Sequence, residues 1–244
     1  MMSRFFVKES DVGEKHICIT DREDIHHIRK VLRLRHGDMI EISDGVRWEY
    51  EGVIEEIDEA VVTVLITDKQ AFAREPRLRI TLFQGMPKNQ KMDLIVQKCV
   101  ELGIDSIYPV FMKRCDVRDN GKAGRKAQRW QKIADEASKQ CRRGIVPAIY
   151  EPLSDEEMYS LLKSYDLVLF PYENEEKRSI KDCLRSLDEK PENVAVVIGP
   201  EGGFAQSEAE YLKRYECVSL GKTILRTETA GIAALAMTMY ELEL

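Results

Sequence analysis

The pattern of the chain changes near residue 76, and few architectures accommodate that change. Up to about residue 70 the sequence is broken into short β-rich runs, at 17–20, 39–43, 48–54 and 61–67. Turn signals such as Gly37-Asp38 and Asp44-Gly45 separate them, and one helix is expected over about 23–34. Residues 1–70 therefore predict a small β-barrel or sandwich with a single helix. Residues 71–76, with Arg74, Glu75 and Pro76, read as a linker.

From residue 78 strands and helices alternate, which predicts a parallel α/β sheet. Strands are expected at 78–83, 107–111, 167–170, 194–199 and 218–221. Helices are expected at 90–102, 125–143, 179–187, 206–215 and 229–242. The first of these helices puts Met92, Ile95, Val96, Cys99 and Leu102 on one face and stops at Gly103. With 244 residues, 43% of them hydrophobic, the chain can bury two cores without disulfides or metals. No apolar run is long enough for a transmembrane helix, and residues 1–10 lack a signal-peptide pattern. A soluble, cytoplasmic protein is expected. The six cysteines are dispersed, and the four histidines add no ligand spacing, so free thiols and no metal are expected.

In open parallel sheets, ligands bind at the carboxyl ends of strands. Three loops leave such ends in the C-terminal half. They are Pro171-Tyr172-Glu173-Asn174, Gly199-Pro200-Glu201-Gly202-Gly203, and residues 222–229. In the second, Gly202 and Gly203 permit positive φ and close approach of a ligand. Glu201 there disfavours an anion and suits a ribose hydroxyl or a cationic ligand. In the third, Arg226 and Glu228 either pair with each other or face a substrate. Gly221-Lys222-Thr223 is not a P-loop, because Glu216 stands where that motif needs glycine. The G-x-G-x-x-G, G-x-S-x-G, H-E-x-x-H and EF-hand patterns are absent from the sequence.

The formal net charge is −6, yet residues 113–143 carry 11 Lys and Arg against 4 Asp and Glu. On the helix at 125–143, Arg125, Arg129, Lys132, Lys139 and Arg143 fall within about 40° of one line. A second basic cluster, Arg29, Lys30, Arg33 and Arg35, lies beside His26 and His27. These clusters read either as solvated faces or as grips on RNA phosphates.

The motif Gly199-Pro200-Glu201-Gly202-Gly203-Phe204, followed by Leu220-Gly221 and Ile224-Leu225-Arg226-Thr227-Glu228-Thr229-Ala230, resembles the RsmE family. These are 16S ribosomal RNA uridine N3-methyltransferases of the SPOUT superfamily. Weaker matches run along the whole chain, among them His27 with Val31-Leu32-Arg33, Lys88 with Lys91-Met92-Asp93, Glu101-Leu102-Gly103, Arg114-Cys115 and Arg143 with Pro147. The resemblance implies a PUA-like RNA-binding β-barrel at 1–70 and an α/β SPOUT-type parallel sheet at 77–244, with a trefoil knot at about 166–244. It also implies a homodimer that binds S-adenosylmethionine and releases S-adenosylhomocysteine. The implied cofactor-binding residues are Leu169, Phe170 and Pro171; Ile198, Gly199, Pro200, Glu201, Gly202 and Gly203; and Leu220, Gly221, Ile224, Leu225 and Arg226. Arg226 and Glu228 are the implied catalytic pair. Arg4, His27, Arg33, Lys88, Lys91, Arg114, Arg118 and Arg143 are the implied RNA contacts.

Two positions depart from the family pattern. Ala205 replaces a serine that would cap the next helix, with Ser207 and Glu210 offering a later capping box. Thr223 replaces an arginine. In the implied reaction Arg226 stabilises charge on the uracil carbonyls and Glu228 is a candidate base for the N3 proton. The competing readings are a methyltransferase acting on 23S ribosomal RNA or transfer RNA, a non-catalytic RNA-binding protein, and a nucleotide-binding metabolic enzyme.

Overall fold

The computed structural model describes residues 2–72, 74–117, 121 and 123–243. It divides into two units. The first is Met1–Glu75 with Ser138–Val146, and the second is Pro76–Ala137 with Pro147–Leu244.

The first unit is a five-stranded sheet. Its strands are β1 (Arg4–Phe6), β2 (His16–Ile19), β3 (Met39–Ser43), β4 (Trp48–Ile57) and β5 (Val62–Ala71). Their order is β1-β3-β4-β5-β2, with β1 parallel to β3 and every other pair antiparallel. Alternation sends Ile40, Ile42, Ile54, Val62 and Val64 into the core beside Phe5, Ile17 and Ile28. The Asp44-Gly45 signal becomes a tight turn in which Asp44 Oδ1 accepts the backbone N–H groups of Val46, Arg47 and Trp48 at 2.8–2.9 Å. The expected helix over 23–34 is instead two pieces. Asp21 caps α1 (Arg22–His26), which continues as a π-helical turn, His27–Leu32, and ends at Arg33 with φ +55°. Wider turns of this kind are frequent at functional sites.

The second unit is built on β6 (Arg79–Gly85), β7 (Ser106–Phe111), β8 (Ala148–Ile149), β9 (Leu153–Ser154), β10 (Leu167–Pro171), β11 (Asn193–Ile198) and β12 (Glu216–Val218). The strand order is β12-β10-β11-β6-β7-β8, with β9 also on β7, and every pair is parallel. Strands buried on both faces read as continuous apolar runs, and β10 and β11 do so. The helices are α2 (Lys91–Glu101), α3 (Ala123–Cys141), α4 (Asp155–Leu161), α5 (Ile180–Arg185), α6 (Gln206–Leu212) and α7 (Thr227–Leu242). On one side of the sheet Phe83, Val110, Phe170 and Val197 pack with Met158, Phe204 and Leu212. Among the described residues no helix is long and apolar enough to cross a membrane, and no group of three His, Cys, Asp or Glu is placed to hold a metal. The six cysteines are free, and burial pushes the Cys99 thiol up to about 12.

Several expectations change. The short strands β1, β8 and β9 and the helix α4 have too little apolar periodicity to be read from sequence. The end of α3 does not stay with the second unit, since residues 138–146 belong to the first. The basic line along α3 is largely consumed by carboxylates. Arg129 binds Asp93 through two bonds of 2.7 and 2.8 Å, and Lys139 meets Asp24 at 2.7 Å. Arg143, expected on RNA, is buried and meets Glu75 at 2.8 Å. Arg4, likewise expected on RNA, has a side chain only 2% exposed, between Glu49 at 2.7 Å and Glu41 at 3.5 Å. Burial and pairing remove both from the surface. Arg118 lies outside the described residues. At α6 the N-cap is Ala205, whose N–H is bonded by Glu208 at 2.6 Å. Ser207 is not the cap but takes a bond from Lys113 Nζ at 2.8 Å.

Removing one partner of a buried ion pair leaves the other uncompensated. Arg4→Ala should therefore destabilise the first unit by about 3 kcal/mol, read as a lower urea midpoint for that unit's transition. An unchanged midpoint would return Arg4 to the surface.

Candidate active site

The loops after β12, β10, β11 and β6 leave four adjacent parallel strands at their carboxyl ends. The first three enclose a cleft of about 590 Å³. Its walls include residues 171–173, 198–204 and 219–227, together with Lys91 and Ala230. The three loops singled out in the sequence thus meet in one place.

Much of the wall is bare backbone. Gly203 has φ +67°, a conformation that favours glycine, and a Cβ on Gly202 would stand 2.8 Å from the Arg114 carbonyl oxygen. The second loop is also pressed against the end of β6, where a Cβ on Gly85 would lie 2.5 Å from the Pro200 nitrogen. Thr227 holds these parts together. Its hydroxyl donates to the Gly199 carbonyl at 2.6 Å and accepts from Gln84 Nε2 at 2.8 Å, and both side chains are buried.

Arg226 is the N-cap of α7, is exposed, and lines the cleft. It makes no ion pair with Glu228. The nearer cation to Glu228 is Lys91, the first residue of α2. Lys91 Nζ stands 2.9 Å from Glu201 Oε1 and 3.0 Å from Glu228 Oε2. Both contacts are ion pairs without hydrogen-bond alignment. Burial pushes the Glu228 carboxyl up, but its own backbone N–H, the Lys91 ammonium and the Arg226 charge outweigh burial and hold it below the usual range. Glu201 behaves alike. Burial raises it, while Lys91 and backbone N–H groups, including that of Lys88, bring it down.

The positions of the expected residues divide clearly. Pro171, Ile198, Gly199, Pro200, Glu201, Gly202, Gly203, Leu220, Gly221, Ile224, Leu225 and Arg226 line the cleft. Glu228, one of the implied catalytic pair, is not among the lining residues, and neither are Leu169 and Phe170. The latter two are buried within β10, where Leu169 is in register with Val196 and Glu216. Glu201, expected to meet a ribose hydroxyl or a cation, already has Lys91 and the Lys88 N–H as partners. Lys91, expected on RNA, is in the cleft wall between two carboxylates. Lys88 and Arg114 are exposed beside the second loop, with Lys88 Nζ 2.5 Å from Asp116 and Arg114 Nη1 3.3 Å from the Gly202 carbonyl. His27 and Arg33 are exposed on the π-helical turn of the first unit. Tyr172, Glu173, Phe204, Ser219, Lys222, Thr223, Thr227 and Ala230 also line the cleft and were not among the expected site residues. Five of them lie in the three loops singled out, whereas Phe204, Ser219 and Ala230 flank those loops.

Comparison with known proteins agrees with this geometry. The family described as the RNA methyltransferase domain matches residues 74–239, and the RNA methyltransferase PUA domain matches 19–66. Ribosomal RNA small subunit methyltransferase E of Bacillus subtilis is 31% identical over 251 residues, covering 100% of this chain and 98% of that protein. The protein of the same name from Buchnera aphidicola of Schizaphis graminum is 35% identical, covering 86% and 85%. A crystal structure of ribosomal RNA small subunit methyltransferase E from Neisseria gonorrhoeae bound to S-adenosylmethionine superposes with a TM-score of 0.85 at 28% identity, covering 98% of each chain. A parallel sheet with a glycine-walled cleft at its carboxyl edge, matched along its length by these proteins, places this chain in the RNA methyltransferase family.

Proposed function

We propose that this chain transfers a methyl group from S-adenosylmethionine to N3 of a uridine in 16S ribosomal RNA, on the small ribosomal subunit, in the cytoplasm and as a homodimer. The observation that carries the reading is the cleft. Its size suits one small molecule, and its glycine walls let a ligand reach backbone N–H and carbonyl groups. The backbone of residues 199–203 and 220–225 would hold the adenosine part, within the knotted arrangement of about 166–244 that the family resemblance implies. When bound, the cofactor supplies a methyl group already electrophilic on its sulfonium.

The chain's own residues must then present N3 and take charge of its proton. The Arg226 guanidinium, exposed at the cleft wall, is suited to the uracil carbonyl oxygens as negative charge develops there. Glu228, held ionised beside it, is the proton acceptor of this reading. Lys88 and Arg114 near the second loop, and His27 and Arg33 on the first unit, are the RNA contacts that remain exposed. Such contacts supply affinity through phosphates. Two copies would meet through α7, which leaves Tyr240 71% and Met237 37% exposed.

Four outcomes test the reading. Purified small subunits lacking the modification should accept labelled methyl, and mass spectrometry of the nucleosides should show N3-methyluridine in 16S RNA. Label in 23S or transfer RNA alone would redirect the substrate. Arg226→Ala should lower transfer by about 10²–10³-fold while cofactor affinity, measured by calorimetry, stays within about tenfold. Gly202→Ala should weaken cofactor binding by at least about tenfold, because the added Cβ displaces the loop from Arg114. Tyr240→Glu should convert a dimer to a monomer in sedimentation, and an unaltered mass would remove α7 from the interface.

A further inference from the structure

We propose that Lys91 is a positioning residue for methyl transfer, whose ammonium keeps the Glu228 carboxylate in place and ionised by standing between it and Glu201. The inference rests on the methyltransferase reading and adds to it a role for a side chain whose chemical type alone suggests a phosphate contact.

Three observations carry it. First, both carboxylates reach one Nζ, Glu201 at 2.9 Å and Glu228 at 3.0 Å, and they come from separate loops of the cleft. The cluster of two carboxylates and one ammonium is net negative, so a phosphate approaching Lys91 would be repelled. Second, Lys91 begins α2, the end of a helix at which a cation is disfavoured by the helix dipole. Its carboxylate partners offset that cost. Third, Glu228 Oε2 is fully buried and has Lys91 as its ion-pair partner. Without the ammonium, Glu228 and Glu201 would face each other as like charges, one of them 13% exposed, and such pairs drive one carboxyl to hold its proton.

The other groups facing Glu228 do not replace Lys91. Arg226, from the turn before α7, is the second cation acting on it. From β6 the neighbouring polar group is Gln84, which is uncharged and bonded to Thr227. From α5, Lys181 and Arg185 act on Glu241 at the far end of α7.

The step these residues serve balances as follows. The N3–H bond breaks and its proton passes to the Glu228 carboxylate. The N3 electron pair forms the bond to the methyl carbon. The sulfur–methyl bond breaks with its electron pair retained by sulfur, and Glu228 later loses the proton to solvent. A protonated Glu228 cannot begin this sequence, so activity must fall as pH drops through its pKa. Raising that pKa moves the acid limb to higher pH.

The test compares K91M and K91R with the unaltered chain, using small subunits as substrate. For K91M the acid limb of kcat/KM should move up by about one pH unit and kcat at pH 7 should fall at least about tenfold. KM for RNA and its salt dependence should hold, and cofactor affinity should stay within about threefold. K91R should recover most of the activity and return the limb. A K91M protein with an unmoved limb, a raised KM for RNA and a shallower salt slope would make Lys91 a phosphate contact and overturn the proposal. Carbon-13 NMR titration of the Glu228 carboxyl, assigned with E228Q, needs no turnover. Its pKa should rise in K91M, and no rise overturns the proposal. If the unaltered chain methylates no RNA, this titration still decides the role of Lys91, so the two failures remain distinct.

Discussion

The Thr227 hydroxyl joins parts of the second unit that the β-ladder leaves separate. Parallel strands end in loops with no ladder partners, so something else must order them. Thr227 gives its proton to the Gly199 carbonyl and takes one from Gln84, at the end of β6. One buried hydroxyl thereby ties the second loop, the start of α7 and the central strand together. The close approach of Gly85 to Pro200 fixes the same loop from its other side. Because hydrogen bonds to buried groups are costly to leave unmade, this arrangement resists loosening by single steps. The cleft can therefore keep bare backbone on its walls without collapsing.

Charge completes what the hydroxyl begins. Lys91 brings α2 to the same two loops through ionic contacts, and Glu201 extends the link by accepting the Lys88 N–H at 3.1 Å. The third loop is then held at Thr227 and at Glu228, adjacent residues on the first turn of α7. Arg226, one residue earlier, is left exposed. A rigid turn with one exposed cation suits a group that must meet developing negative charge, because little ordering remains to be done when substrate arrives.

The architecture was legible because its signals are local. Continuous apolar runs such as β10 and β11 can only be buried strands here, and α2 carries a helical stripe that ends at Gly103. The cleft was legible for a topological reason, since strand-end loops converge wherever strands run parallel. What escaped depended on distance in sequence. Arg4 and Arg143 look like surface cations until Glu49 and Glu75, 45 and 68 residues away, come to lie against them. Lys91 acquires its partners from residues 201 and 228 in the same way. The helix over 23–34 failed for a subtler reason. Its apolar spacing is helical, but the wider turn of His27–Leu32 has no signature distinct from an α-helix.

These long-range pairings also resolve a difficulty in the charge balance. A chain of net charge −6 that binds a polyanion must do so with cations its own carboxylates leave uncovered. The basic line over 125–143 offers five, yet Asp93, Asp24 and Glu75 take Arg129, Lys139 and Arg143. Three cations of that line are thus held within the fold, while Arg125 on it stays exposed. Of the residues expected on RNA, those that stay exposed outside the cleft wall lie beside its second loop, where Lys88 is itself paired with Asp116, and on the π-helical turn ending at Arg33. Arg33 is held there at φ +55°, a conformation unfavourable for a side chain of its size, with its N–H bonded to the Ile28 carbonyl. A backbone that keeps an arginine in that conformation at an exposed helix end fixes where its side chain departs. Placement of a few cations, and not net charge, is then what gives such a chain its hold on RNA.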